Sequence, residues 1–125
     1  MTHLRRGRLH TQTRSIHIAA PPVRVWDLIT TIDTICVWYD TWDTVHNDTT
    51  DPRLRVGSSF HLTRRRGRRR DETAHCKVTD LTAPMRLCWE QSAPHTPTMT
   101  VAFLLIPGTD TGSTELQHTR TWTTP

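Results

Sequence analysis

At 125 residues and 34% hydrophobic content the chain can bury one modest core, and no apolar run approaches the roughly 20 residues of a membrane-spanning helix. The net charge of +4 is concentrated rather than spread. Three cysteines, Cys36, Cys76 and Cys88, are odd in number and form no CxxC pair, which argues against a disulfide framework and for reduced thiols.

Residues 1–13, MTHLRRGRLHTQT, are polar and basic and lack the apolar centre of a secretory signal, so they read as a disordered arm of a cytoplasmic protein, ahead of a single domain over 14–125. Ile16 and Ile18 then alternate with Ser15, His17 and Ala19, the pattern of a half-buried strand. Pro21-Pro22 ends it. A proline at the first helical position costs little, because its missing N–H would be unpaired there. Val25, Ile29 and Ile32, with Trp26 beside them, recur at helical spacing, and a second short helical turn closes on Trp38-Tyr39.

Beyond Trp42 and Val45 come LRVGSSF (54–60), CKVTDLTAPMRLCWE (76–90), TMTVAFLLIPG (98–108) and GSTELQHTRTW (112–122). In order, these give a glycine before a strand, a hairpin of the form V-T-x-L-x-x-P-x-x-L-x-W, an apolar strand, and a Gly-Ser turn into a last strand. The ordered series over residues 14–123 resembles the START-like (SRPBCC, helix-grip) superfamily, in its polyketide cyclase/dehydrase branch. The resemblance implies an α+β fold: a curved antiparallel seven-stranded sheet, two short helices after strand one, and a cavity for a small apolar ligand. The family's long C-terminal helix has no counterpart before Pro125, so the inner sheet face is expected to lack cover from its own chain and to dimerise or aggregate.

The apolar pattern suggests a register. Val78 opposite Leu87 puts Cys76 opposite Trp89 and Ala74 opposite Gln91 on one face, with His75 meeting Glu90 on the other. Trp89 then meets Val101, Leu87 meets Phe103, Phe103 meets Leu116, and Val101 meets His118. The inner face so drawn carries Cys76, Trp89, Gln91, Met99, Val101, Phe103 and Leu116 as ligand-lining residues, with His118 as a general acid/base and Arg120 to hold a carboxylate, enolate or phenolate oxygen. Each could equally be a strand residue bonded to a neighbour. The residues point to no cofactor, and the scattered histidines, with no HxH or HExxH spacing, point to no metal site.

Arg64-Arg65-Arg66-Gly67-Arg68-Arg69-Arg70 reads as a hairpin tip, with Gly67 where a tight turn wants positive φ. It is either a solvated tip or a footprint for nucleic acid or another polyanion, and the absence of interleaved aromatics speaks against base stacking. Asp40 and Asp43 beside Trp42 fit turn residues better than a paired carboxylate. The expected function is binding of a small hydrophobic or aromatic, polyketide-like molecule, with cyclase/dehydrase chemistry resting on analogy. The competing reading is an interaction module using the open sheet face or the arginine hairpin.

Overall fold

In the computed structural model, which describes residues 7–110 and 112–125, the first strand is longer than its apolar alternation suggests. β1 spans Arg8–Ile18 and pairs with the last strand, β7 (Thr114–Thr124), along its whole length, from Arg8 opposite Thr124 to Ile18 opposite Thr114. Six of the thirteen residues expected to be a disordered arm, Arg8 to Thr13, are therefore strand, and residues 1–6 lie outside the described residues. Both faces of this edge strand are largely solvated, so it carries no apolar alternation there. Thr11 and Thr13, which favour extended backbone, were the available signal.

Pro21 is extended and Pro22 opens α1 (Pro22–Ile29), which buries Val25, Trp26 and Ile29. The helix stops at Thr30: the Thr31 hydroxyl donates to the Asp27 carbonyl at 2.8 Å in place of its N–H, which turns to Leu28 at 3.4 Å. Ile32, expected on the same helix, instead opens a 3₁₀ turn (Ile32–Thr34) and is still fully buried. α2 (Ile35–Trp38) follows directly.

β2 (Thr44–Asn47), β3 (Ser59–Arg66), β4 (Arg69–Thr82), β5 (Arg86–Ser92) and β6 (Met99–Pro107) complete one antiparallel sheet with the order β1-β7-β6-β5-β4-β3-β2. Because β1 and β2 sit at opposite edges, the segment joining them crosses the sheet, and it carries α1, the 3₁₀ turn and α2 over one face. Gly57 and Gly67 supply the positive φ values, +91° and +61°, that the β3 entry and the β3–β4 turn require.

The registers of β4–β5 and β6–β7 differ from those expected by two residues over much of their length. Val78 faces Trp89 and Cys76 faces Gln91; a bulge at Thr79 then sets Leu81 opposite Leu87. His75 faces Ser92, and Glu90 faces Lys77 rather than His75. On β7, His118 faces Phe103, Arg120 faces Val101 and Leu116 faces Leu105. The expected β5–β6 pairs, Trp89 with Val101 and Leu87 with Phe103, are present. A slip of two preserves which face a side chain occupies. The rows change, but the inner face does not.

That face is covered. Trp89, Val101, Phe103 and Leu116 are 0–4% exposed in the single chain, packed with Val25, Trp26, Ile29, Ile32, Ile35, Tyr39 and Trp42 of the crossing segment. The expectation of a bare apolar row fails for this reason: no long helix follows β7 among the described residues, yet the short helices and Tyr39 lie on the row.

Candidate functional site

Tyr39 ends α2 and projects into the middle of the inner face. Its ring meets Trp89, Phe103 and His118 edge-on at 5.9, 5.9 and 5.3 Å between centroids. Trp38 stands edge-on to Phe103 at 5.0 Å, and His118 stacks on Phe103 at 4.7 Å. Such edge-to-face and offset contacts suit aromatic quadrupoles. The cluster is a closed patch of core, and a groove runs along its β7 side.

The groove has a volume of about 470 Å³ and is walled by Arg14 and Ile16 of β1, by Trp38, Tyr39 and Asp40, and by His118 and Arg120 of β7. A narrower cavity of about 120 Å³ shares Tyr39, Thr41 and Arg120 with it and reaches Gln91 and Met99. The expected site residues thus separate into three groups. His118 and Arg120 line the groove, Gln91 and Met99 line the narrow cavity, and Cys76, Trp89, Val101, Phe103 and Leu116 form the packed floor. Arg14, in β1, faces His118 in the register, and it was placed on no site by its sequence because nothing apolar surrounds it.

The groove is rich in hydrogen-bond donors. Its open donors are the guanidinium groups of Arg14 and Arg120; Trp38 Nε1 and His118 Nε2 are enclosed and have no hydrogen-bond partner among the described residues, a state that costs on the order of 1–3 kcal/mol per atom. Arg120 donates to Gln12 Oε1 at 2.6 Å, leaving most of its guanidinium fork free. Burial, together with the charges of Arg120 and Arg14, pushes the His118 imidazole down to about 4. It is therefore neutral at pH 7, which removes the general acid expected near neutrality and leaves a weak base or a neutral hydrogen-bonding ring. Burial raises the Tyr39 phenol, with Arg120 opposing, so Tyr39 is a neutral hydroxyl.

Polar groups below the groove are matched. Gln91 Oε1 accepts from Trp89 Nε1 at 3.2 Å and from the Cys76 thiol at 3.8 Å. Burial pushes the Cys76 thiol well up, and all three cysteines are free.

On the opposite sheet face the histidines are less scattered than their spacing suggests. His46, His61 and His75 face one another across β2, β3 and β4, and Asp48 Oδ1 lies 2.6 Å from His61 Nδ1. Even so, no group of three or more His, Cys, Asp or Glu side chains among the described residues is placed to hold a metal ion.

The family model for activator of Hsp90 ATPase homolog 1-like proteins matches residues 19–124. The chain belongs to this family. It thereby falls within the START-like superfamily that also contains the polyketide cyclases. Its fold is similar to that of the Zhui aromatase/cyclase from Streptomyces sp. R1128, with 16% identity and a TM-score of 0.74 over 94% of this chain and 70% of that one. An HSP90 activator from Plasmodium falciparum superposes with 16% identity and a TM-score of 0.64, covering 92% of this chain and 74% of that one. Protein Mll3558 from Rhizobium loti gives 17% identity and 0.72, over 94% and 81%. No curated protein matches. At such identities the likeness to these structures is one of fold.

Proposed function

We propose that the chain binds a small, flat aromatic molecule bearing an anionic or strongly accepting oxygen, in the groove between β1, β7 and the Trp38-Tyr39 segment. The observation that carries this reading is the unequal chemistry of the groove: aromatic walls from Trp38 and Tyr39, and two guanidinium groups, from Arg14 and Arg120, against the single carboxylate of Asp40. Aromatic walls favour a flat apolar body, and a donor-rich rim favours carboxylate, phenolate or carbonyl oxygens. The fold shared with an aromatase/cyclase is compatible with such a ligand.

Binding, rather than turnover, is the function supported. A cyclisation or dehydration needs a base, and a neutral His118 held near pKa 4 between two cations is a poor one, while Arg120 is well suited to hold an oxygen. The groove has a use without catalysis.

The test is calorimetry with 2-naphthoate and, as a neutral analogue of similar shape, 2-naphthalenemethanol. Naphthoate should bind saturably and tighter than the alcohol, and Arg120→Gln should weaken naphthoate by about tenfold, the cost of one charge-assisted contact, while leaving the alcohol nearly unchanged. Equal binding of the two compounds, or an Arg120→Gln chain that binds naphthoate as before, would remove the proposal.

A further inference from the structure

The β3–β4 hairpin is not simply a charged tip. Arg64 donates to Glu72 through Nε and a terminal nitrogen at 2.9 and 2.7 Å and lies 5.1 Å over the Trp42 ring. Arg66 reaches the same carboxylate at 2.8 Å. Burial pushes the Glu72 carboxyl up, but these two arginines outweigh it and hold its pKa below the usual range. Both arginines thus converge on Glu72 Oε2. Arg65, Arg68, Arg69 and Arg70 take part in no ion pair among the described residues and are exposed. Arg66 and Arg69 face each other across the turn, a like-charge pair that disfavours the hairpin by itself.

Beside this tip is a concavity of about 460 Å³, bounded by Arg66, Arg69, Arg70 and Thr73 on the hairpin and by His95 and Thr96 of the β5–β6 connection. Asp71 also borders it. Glu72 borders it too, but Arg64 and Arg66 together outweigh that carboxylate, and Arg69 and Arg70 outweigh Asp71, so positive charge dominates. We infer that this concavity is a binding site for a soluble oligophosphate, held by the guanidinium groups of Arg69 and Arg70, with the Glu72-bound Arg66 at its edge.

Arginine fits phosphate in two-pronged geometry, and an anion would give Arg69 the counter-charge that Glu72 already gives Arg66. The surroundings separate this class of ligand from others. No Phe, Tyr or Trp borders the concavity, so it offers no platform for bases. Among the described residues the large exposed apolar ones are Leu9, Ile16, Val23, Leu28, Val37, Val56 and Met85, none of them on the hairpin, so it has nothing to insert into a lipid surface.

The site is independent of the aromatic groove, and so is its test. Sodium tripolyphosphate is titrated into the protein by calorimetry at about 50 and 200 mM salt. Saturable binding is expected, weaker at the higher salt. Arg69→Ser/Arg70→Ser should lose about tenfold or more in affinity, whereas Arg8→Ser/Arg24→Ser, which removes equal charge elsewhere, should lose little. Thermal melts of both variants should match the parent chain, since all four side chains are exposed. No saturable binding, or an equal loss in the two variants, overturns the inference. So does tighter binding of a single-stranded oligonucleotide or a glutamate-rich peptide than of tripolyphosphate.

Discussion

His118 shows how a residue's position can reverse what its type suggests. A histidine on an inner strand face near a cavity invites an acid/base role at neutral pH, but burial against Phe103 and Tyr39, with Arg14 and Arg120 alongside, holds it neutral. The sign of the resulting pH dependence is fixed. Unfolded, the imidazole takes up a proton near its ordinary value of 6.5; folded, it does so near 4. The unfolded chain therefore binds the proton first, and this contribution to stability is complete above about pH 6.5 and is lost as pH falls towards 4. Urea melts of the parent chain and of His118→Gln across this window should show a smaller loss in the variant, because the other histidines are common to both. Parallel pH profiles would mean that His118 is solvated. Its stacking partner Phe103 was legible as an inner-face residue; their adjacency was not, because it depends on a register two residues from the expected one.

At the scale of elements, α1 was the most legible part of the chain. Pro22 at its start and the spacing of Val25, Trp26 and Ile29 define its beginning and its buried face, while its end at Ile29, ahead of the expected Ile32, was not marked. Trp26→Ala should cost on the order of 3–5 kcal/mol, as large-to-small core changes do; a loss under about 1 kcal/mol in urea melts would mean that α1 does not hold the sheet. The hairpin divides in a way its run of like residues conceals. Arg64→Ala removes the bidentate partner of half-buried Glu72 and the Trp42 stacking, so it should cost about 1–3 kcal/mol, while Arg68→Ser should fall within about 0.5 kcal/mol of the parent. Equal effects would erase the distinction between a structural and a free arginine. β1 was legible only from Ser15 onward, since Arg8 to Arg14 lie on an edge with both faces wet. That is why Arg14, a wall of the groove, was missed. The β4–β5 slip has a local origin as well: the bulge at Thr79 and the close pairing of Thr82 with Arg86 leave no mark in the alternation.

For the whole molecule, the decisive feature is the path from β1 at one sheet edge to β2 at the other. It lays α1, the 3₁₀ turn and α2 across the inner face, so a row of apolar strand residues that looks uncovered in the sequence is the interior of the fold. The inner row therefore supplies no drive for pairing with a second copy, and sedimentation equilibrium should find a monomer; a stable dimer would mean that the outer surface, where Leu9, Ile16, Val23 and Val37 are exposed, forms an interface. What the crossing segment leaves open is the groove along β1 and β7, where aromatic walls meet the guanidinium groups of Arg14 and Arg120. The most direct measurement is nuclear magnetic resonance of the indole N–H groups during titration with 2-naphthoate. The Trp38 Nε1–H signal should shift saturably while that of Trp26, on α1, stays in place, and Arg120→Gln should weaken the effect. An unmoved Trp38 signal at saturating ligand, or shifts spread evenly over the five tryptophans, would contradict binding in the groove.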